Sequence, residues 1–193
     1  MKLLEKLLSE RKDGCTGGIY NKLQIDFAYN SNHIEGSRLT HDQTRYIFET
    51  KTIGIDDRRD VLRVNDIIET VNHFRCFDFI LDSVDEELSE EYIKHLHKML
   101  KSGIIDRDAL IGEYKSEPNE VGGIKTVLPK KVGESIKALL NDYNGKKLSL
   151  FDVAQFHMQY EKIHPFYDGN GRTGRLIMFK QCLQNDILPF IVD

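Results

Sequence analysis

The chain has 193 residues, of which 40% are hydrophobic and 30% are charged, with 27 Lys and Arg against 31 Asp and Glu. A chain of this length can bury a core of its own, so we expect a single domain over residues 1–193. The slight acidic excess excludes the broad basic surface that non-specific nucleic-acid binding requires. No apolar run is long enough for a membrane span, and charges interrupt the apolar residues at the start, unlike in a signal peptide.

Apolar residues at helical spacing predict an all-α fold. The N-terminal segment covers about residues 1–36. A leucine stripe there predicts a short helix and consists of Leu3, Leu4, Leu7 and Leu8. A second stripe predicts a helix that ends near Gly36 and consists of Ile19, Tyr20, Leu23 and Phe27. The leucine stripe can pack on its own core or on a second copy, so a homodimer stays an open alternative. Over about residues 40–193, further helices are predicted from Thr40 toward Thr50, from Val61 to about Leu81, after Ser89, from Val132 to Tyr143, after Ser149 and after Gly171.

The helical pattern is interrupted over about residues 113–128. Turn signals stand at Pro118-Asn119 and Gly122-Gly123, and the residues that follow favour extended backbone. This segment predicts one small, exposed β-hairpin. We expect its two lysines, Lys115 and Lys125, to be solvated surface charges.

Three cysteines, Cys15, Cys76 and Cys182, are widely separated and odd in number. They fit neither a disulfide framework nor a zinc ribbon, so we expect three reduced thiols and a cytoplasmic location. Each thiol is expected to pack as a small buried apolar side chain. His95 and His97 lie two residues apart and point to different helix faces, so we expect them at the surface rather than in a metal site.

Between the last two predicted helices lies the run His164-Pro-Phe-Tyr-Asp168-Gly-Asn-Gly-Arg172-Thr-Gly-Arg175. Small residues at a helix start let backbone N–H groups converge on an anion, and the helix dipole adds partial positive charge. Arg172 and Arg175 can reach over one face of the first turn, where guanidinium groups suit phosphate oxygens. Asp168 offers a hard oxygen ligand for Mg²⁺, and His164 can take a proton near neutral pH. The run therefore predicts phosphoryl or nucleotidyl chemistry.

These twelve residues, 164–175, resemble the signature of the Fic (filamentation induced by cAMP) family, His-x-Phe-x-(Asp/Glu)-Gly-Asn-Gly-Arg-x-x-Arg. Every fixed position of that pattern is met. The predicted hairpin and the surrounding helices are similar to the flap and the helical core of the family. The resemblance implies an all-α, Fic-like helical core with one small β-hairpin flap and an active-site loop at 164–175.

The resemblance also implies protein adenylylation, in which AMP passes from ATP to a Ser, Thr or Tyr hydroxyl of a target protein, and of the enzyme itself, with release of pyrophosphate. His164 would deprotonate the hydroxyl, and Asp168 would hold Mg²⁺, with Mn²⁺ as an alternative ion, across the α- and β-phosphates. Phe166 would anchor the loop in the core. The flap would hold the target backbone by adding a strand to it.

The same resemblance assigns the nucleotide-binding residues. Asn170 and the backbone of Gly169 and Gly171 would hold the α-phosphate and its developing charge. Arg172 and Arg175 would hold the β- and γ-phosphates, with Arg175 at the γ-phosphate.

A second resemblance lies far upstream, in Ser31-Asn-His-Ile-Glu35-Gly. It is similar to the inhibitory motif of the family, (Ser/Thr)-x-x-x-Glu-(Gly/Asn). Ser31 and Glu35 lie four residues apart on one helix face, so both can point into one cleft. A bidentate pair between Glu35 and Arg175 would occupy the arginine that the γ-phosphate needs, and the resemblance therefore implies autoinhibition.

Three alternative functions stay open from the sequence. The same site can remove AMP from a modified protein, with Glu35 orienting water. It can also transfer phosphocholine, UMP or phosphate, because no base-reading pocket is evident in the sequence. A non-enzymatic nucleotide-sensing module is the third alternative, and the presence of His164 argues against it.

Overall fold

The computed structural model of the chain describes residues 2–54, 61–104 and 110–191. Within these ranges the protein is all-α, with a single two-stranded antiparallel sheet. The helices are α1 Leu3–Asp13, α2 Ile19–Ile34, α3 His41–Thr50, α4 Val64–Asp82, α5 Glu90–Lys101, α6 Val132–Tyr143, α7 Leu150–Ile163 and α8 Asn170–Gln184. The strands are β1 Glu120–Val121 and β2 Ile124–Lys125, and a 3₁₀ turn, Pro129–Lys131, precedes α6. The predicted fold class is confirmed.

Local hydrogen bonds explain where several helices begin. Thr40 and Gln43 form a reciprocal cap at the start of α3: the Thr40 hydroxyl accepts from the Gln43 N–H at 3.1 Å, and the Gln43 side chain accepts from the Thr40 N–H at 3.0 Å. Ser89 caps α5 through the Tyr92 N–H at 3.0 Å. The predicted start of α4 at Val61 is wrong by about one turn: the helix begins at Val64, and the Val61 side chain is 83% exposed.

Helix α8 lies at the centre of the fold, and almost every residue from Arg172 to Leu183 is buried. It packs against α2, α4, α5 and α7. Phe179 stacks on Phe77 of α4, with ring centroids 4.5 Å apart, and contacts Phe27 of α2 at 5.4 Å. A helix that is enclosed in this way has little freedom to shift. Its first turn is therefore a fixed platform at the edge of the core.

The N-terminal helices cover one side of this core. Leu7 of α1 is fully buried, and the rest of the predicted leucine stripe packs against the same cluster, so the stripe covers its own core. Helix α2 lies against α8 and α4 and buries Phe27 and Ala28. Two of the three cysteines, Cys76 and Cys182, are buried as expected, whereas Cys15 is exposed, in the turn between α1 and α2.

The hairpin lies on the surface, and in the chain it stands between α5 and α6. Val121 pairs with Ile124, and all four strand residues are exposed. Gly122 and Gly123 both have positive φ, 57° and 77°, as the two central residues of a type I′ turn require. Among the described residues, no helix combines the length and the apolar character needed to cross a bilayer.

Candidate active site

The motif at 164–175 divides into a loop and the start of a helix. Residues 164–169 connect α7 to α8, and residues 170–175 form the first turns of α8, so the predicted loop is half helical. Gly169 has φ +76°, a left-handed conformation that suits glycine, and an added Cβ would lie 3.2 Å from the Lys101 Cδ. The glycine therefore allows the chain to turn tightly over α5.

Asn170 and Phe166 fix the shape of this loop. The Asn170 carboxamide oxygen accepts from the Phe166 N–H at 2.8 Å, and its NH₂ group donates to the Phe166 carbonyl at 2.8 Å. Phe166 is fully buried, as the resemblance implied. Both of these hydrogen bonds of the Asn170 side chain lie inside the loop, and the assignment of Asn170 to the α-phosphate stays a prediction.

His97 of α5 binds the backbone of the loop at residues 164–169. Its Nδ1 accepts from the Gly112 N–H at 3.0 Å, so the ring proton lies on Nε2, which donates to the Asp168 carbonyl at 2.9 Å. Burial lowers the pKa of His97 to about 4, so the ring is neutral. The expectation of a surface histidine is wrong here, because α5 turns this residue into the core at 4% exposure.

His164 lies directly after α7, at the point where the chain leaves the helix. Its backbone is left-handed, with φ 49° and ψ 63°, a conformation that is uncommon for a residue other than glycine. The Nδ1 atom lies 3.7 Å from Oε2 of Glu161, one turn earlier on α7. With Nδ1 facing a carboxylate, Nε2 is the nitrogen left to accept a proton. Glu161 was not among the predicted site residues, although it lies only three residues before His164 in the sequence.

Asp168 is held by a lysine that the sequence analysis also missed. Its Oδ2 lies 2.6 Å from the Lys101 ammonium and 3.7 Å from a nitrogen of Arg172, and its side chain is 58% exposed. Burial would raise the pKa of Asp168, but the hydrogen bond and charge of Lys101, followed by the charge of Arg172, hold it below its usual value. The carboxylate is therefore ionised and fixed at the loop.

Glu69 of α4 joins these cations into one network. Its Oε1 lies 2.5 Å from the Lys101 ammonium, and its Oε2 lies 2.5 Å from Nη1 of Arg172. Arg172 is almost fully buried, so this ion pair largely fixes its guanidinium. A carboxylate thus holds the arginine that was assigned to the β- and γ-phosphates, and that assignment stays a prediction.

Arg175 is bound by both residues of the upstream motif. Its Nε donates to the Ser31 hydroxyl at 2.9 Å, and its Nη2 donates to the Ser31 carbonyl at 2.9 Å and to Oε1 of Glu35 at 2.7 Å. The pair with Glu35 uses one nitrogen and one oxygen and is not the bidentate pair that was expected. Helix α2 ends at Ile34, and Glu35 follows as its capping residue.

The Glu35 carboxylate also lies against the first turn of α8. A Cβ added at Gly171 would overlap Oε1 of Glu35. The N–H groups of a first helical turn have no partners within the helix and attract anions. Glu35 therefore places a negative charge where the sequence predicted an anion to bind.

A cavity of about 430 Å³ opens beside these groups. Its wall includes Glu35, Glu69, Lys101, Asp168 and Arg172, with apolar side chains on another side. This volume is within the range of small-molecule sites. Within the described residues, no group of three or more His, Cys, Asp or Glu side chains could hold a metal ion by itself.

Lys115 ties the hairpin to the catalytic segment. Its ammonium donates to the Asn119 side chain at 2.7 Å, to the Thr126 hydroxyl at 2.6 Å and to the Ile163 carbonyl at 3.2 Å. Its own N–H donates to the Pro165 carbonyl at 2.8 Å. The expectation of a solvated charge is wrong, because Lys115 is 3% exposed and burial lowers its pKa to about 8.

Comparisons with known proteins agree with this architecture. Residues 87–182 match the family model described as Fic/DOC family. The protein adenylyltransferase fic-1 of Caenorhabditis elegans is 26% identical over 174 residues, which cover 86% of this chain and 33% of that protein. The protein adenylyltransferase Fic of Aedes aegypti is 27% identical over 180 residues, covering 87% of this chain and 34% of that protein.

The fold is shared with solved structures. A Fic-domain-containing signalling protein of Bacteroides thetaiotaomicron VPI-5482 superposes with a TM-score of 0.79 at 25% identity, over 98% of this chain and 76% of that one. The chain spans about a third of the length of the curated relatives it matches. With the signature at the start of α8, the helical core and the hairpin all in place, this chain belongs to the Fic family.

Proposed function

We propose that this chain is a protein adenylyltransferase that transfers AMP from ATP to Ser, Thr or Tyr hydroxyls of a target protein and of itself. One observation carries the proposal: Asp168 and Arg172 line the pocket at the start of α8, and Arg175, on the same helix, pairs with Glu35 of the pocket wall. His164 begins the loop that leads into this helix. The names of the curated relatives support the same activity.

His164 is the proposed general base. It takes the proton of the target hydroxyl as the hydroxyl oxygen attacks the α-phosphorus of ATP. The bond between the α-phosphorus and the bridging oxygen then breaks, and pyrophosphate leaves. Oε2 of Glu161 lies 3.7 Å from Nδ1 of His164, and Nε2 is the nitrogen that is proposed to take the proton.

The first turn of α8 binds the phosphates. The backbone at Gly169 and Gly171 presents N–H groups to the α-phosphate, and Asn170 maintains this arrangement through its two hydrogen bonds to Phe166. Arg175 pairs with the γ-phosphate once Glu35 has left. Arg172 lines the pocket and adds positive charge for the β- and γ-phosphates while Glu69 holds it in place.

Asp168 is the proposed ligand of Mg²⁺, or alternatively of Mn²⁺. The donor set fits such an ion, because Mg²⁺ is commonly held by one or two carboxylates together with substrate phosphates rather than by a cage of side chains. Asp168 is ionised, partly exposed and on the pocket wall. The ion supplies neutralisation of charge on the α- and β-phosphates.

Glu35 is the proposed inhibitor of the site. It pairs with Arg175 at 2.7 Å and lies at the first turn of α8, so it stands where the γ-phosphate would need to be bound. Ser31 strengthens this arrangement through two further hydrogen bonds to Arg175. In this state ATP can enter only in a pose that is unproductive for transfer.

We further propose that the protein is cytoplasmic, that it acts on other proteins and that it has no nucleic-acid or membrane partner. A homodimer stays an open alternative.

The proposal is tested with ATP that carries a labelled α-phosphate. The purified protein should acquire label weakly, Glu35→Gly should raise the labelling, and His164→Ala should abolish it in both backgrounds. ATP labelled at the γ-phosphate should give no label, which separates AMP transfer from phosphate transfer. Mass spectrometry of the Glu35→Gly variant should show a gain of one AMP and identify the acceptor residue.

Other outcomes point to the alternatives. Equal labelling of the wild type and the Glu35→Gly variant would contradict autoinhibition. Binding of ATP without transfer from any nucleotide would favour the nucleotide-sensing module. Loss of label from a previously modified protein, dependent on Glu35, would favour removal of AMP.

A further inference from the structure

Lys101 is a buried lysine in the wall of the nucleotide pocket. It is the last residue of α5, and its side chain is 9% exposed. Its ammonium bridges two carboxylates, with Oε1 of Glu69 at 2.5 Å and Oδ2 of Asp168 at 2.6 Å. Its aliphatic stem packs under Gly169, where only the missing Cβ leaves room for it. The lysine is therefore fixed by its stem and by both of its anionic partners.

This bridge makes the local network electrically neutral. Lys101 and Arg172 supply two positive charges, and Glu69 and Asp168 supply two negative charges. A divalent cation that enters the pocket alone finds one oxygen of Asp168 already paired and no net negative charge in the network. Desolvating such an ion requires several strong ligands in return, and a single shared carboxylate does not provide them.

We propose that Lys101 is the resident counter-ion of Asp168, which competes with the divalent cation for this carboxylate and makes metal binding depend on the phosphates of the nucleotide. Lys101 acts through Asp168 and is therefore a positioning residue. The inference rests on the proposed function in one respect, the assignment of Asp168 as the metal-binding carboxylate.

Lys101 keeps an ionic partner when a metal ion binds to Asp168. Glu69 of α4 also pairs with the ammonium, so loss of the contact with Asp168 does not leave a buried, unpaired charge. Lys101 also lines the 430 Å³ cavity, where phosphate oxygens would offer it a further partner. Without a nucleotide, the lysine keeps Asp168 ionised and in position.

The test is a titration of the full chain with Mn²⁺ in the absence of nucleotide. The electron paramagnetic resonance signal of the free ion measures how much Mn²⁺ stays unbound. The wild type should bind Mn²⁺ weakly without ATP. With ATP present, it should lower the free-ion signal clearly below that of the same Mn²⁺ and ATP without protein, because ATP alone also binds the ion. Lys101→Met keeps the length of the stem and removes the charge. We expect this variant to bind Mn²⁺ without nucleotide at least about tenfold more tightly, because one positive charge next to the site is gone.

Three further variants separate charge from shape. Lys101→Arg keeps the positive charge and should bind Mn²⁺ as weakly as the wild type. Lys101→Met combined with Glu69→Gln restores neutrality and should lose most of the gain. Lys101→Met combined with Asp168→Asn should also lose it, which assigns the bound ion to Asp168. Circular dichroism confirms that each variant is folded.

The proposal is overturned if the folded Lys101→Met variant binds Mn²⁺ no more tightly than the wild type. It is also overturned if the wild type binds Mn²⁺ equally well with and without ATP. This measurement uses only the wild type and so does not depend on whether a variant folds. These titrations involve no group transfer. Failure of the adenylylation assay with the expected Mn²⁺ behaviour would refute the proposed function, whereas labelling with unchanged Mn²⁺ affinity in Lys101→Met would refute the role of Lys101.

Discussion

The ring of His97 lies parallel to the ring of Phe166, with centroids 3.7 Å apart and planes 6° apart. The same histidine donates to the carbonyl of Asp168, two residues further along the loop. Helix α5 thus contacts the loop through ring stacking and through the backbone. The loop between α7 and α8 depends for its shape on a helix that is remote in sequence.

His97→Phe should therefore impair transfer without unfolding the protein. Phenylalanine keeps a flat ring against Phe166 but removes the donor to Asp168 and the acceptor for the buried Gly112 N–H. One lost hydrogen bond is worth about 1 kcal/mol, so we expect about a five- to tenfold lower labelling rate in the Glu35→Gly background. The rate of incorporation of α-labelled ATP measures this.

A matched control for His97 is His95→Phe, which changes the exposed histidine two residues earlier on α5. Its rate should equal that of the parent. If both variants lose activity to the same extent, the effect comes from α5 in general and not from the contact between His97 and the loop.

Stability should fall on mild acidification, and His73 should be one of the causes. This histidine is fully buried, and burial, followed by the charges of Arg175 and Arg172, lowers its pKa from 6.5 to about 3. The unfolded chain takes up a proton below pH 6.5 while the folded chain does not, so folding becomes less favourable as the pH falls. At pH 5 the loss from His73 alone is about 2 kcal/mol relative to pH 7.

Urea unfolding at pH 7 and pH 5 checks the effect of His73. His73→Leu should lose about 2 kcal/mol less than the wild type between these values, because it has no proton to take up. Burial lowers the pKa of His97 to about 4, so His97 also makes the free energy of unfolding fall with pH. The His73→Leu variant should therefore keep part of the pH dependence. An unchanged pH dependence in His73→Leu would contradict the buried neutral state.

The sequence predicts those features whose interacting residues are close together in the chain. The reciprocal cap of Thr40 and Gln43 and the Gly122-Gly123 turn are local, because the atoms that interact are at most a few residues apart. The motif at 164–175 is legible for the same reason, since its groups lie on one loop and one helix start. The contact of Glu35 with Arg175 was reached only through resemblance to a family pattern.

Residues that come from other helices were not predicted. Glu69 and Lys101 join the site because α4 and α5 pack against α8, and no local pattern marks them. Lys115 was assigned to the surface because lysines are seldom buried. Its burial depends on three oxygen acceptors that only the folded hairpin and the end of α7 bring together.

Lys115→Met should separate the hairpin from the catalytic segment. The variant loses the three hydrogen bonds that the Lys115 ammonium donates to the Asn119 side chain, the Thr126 hydroxyl and the Ile163 carbonyl. We expect transfer to a protein hydroxyl to fall by about tenfold, while ATP binding stays the same, because none of the residues that line the pocket belongs to the hairpin. Labelling rate and calorimetric ATP binding measure the two effects in the Glu35→Gly background.

The control for the flap is Lys125→Met, which removes an exposed lysine from β2. It should leave both quantities close to those of the parent. A parallel loss of ATP affinity in Lys115→Met would show that this lysine supports the whole site and not the flap in particular.

Ser31→Ala should relieve inhibition in part. The substitution removes the hydroxyl that accepts from Nε of Arg175 at 2.9 Å but leaves the Ser31 carbonyl and Glu35 in place. A hydrogen bond to a charged group is worth about 1.5–3 kcal/mol, so we expect self-labelling about tenfold or more above the wild type and below Glu35→Gly. Because both residues act on the same guanidinium, Ser31→Ala combined with Glu35→Gly should label no faster than Glu35→Gly alone. Fully multiplicative effects, or a slower Ser31→Ala variant, would show that Ser31 serves Arg175 in catalysis rather than in inhibition.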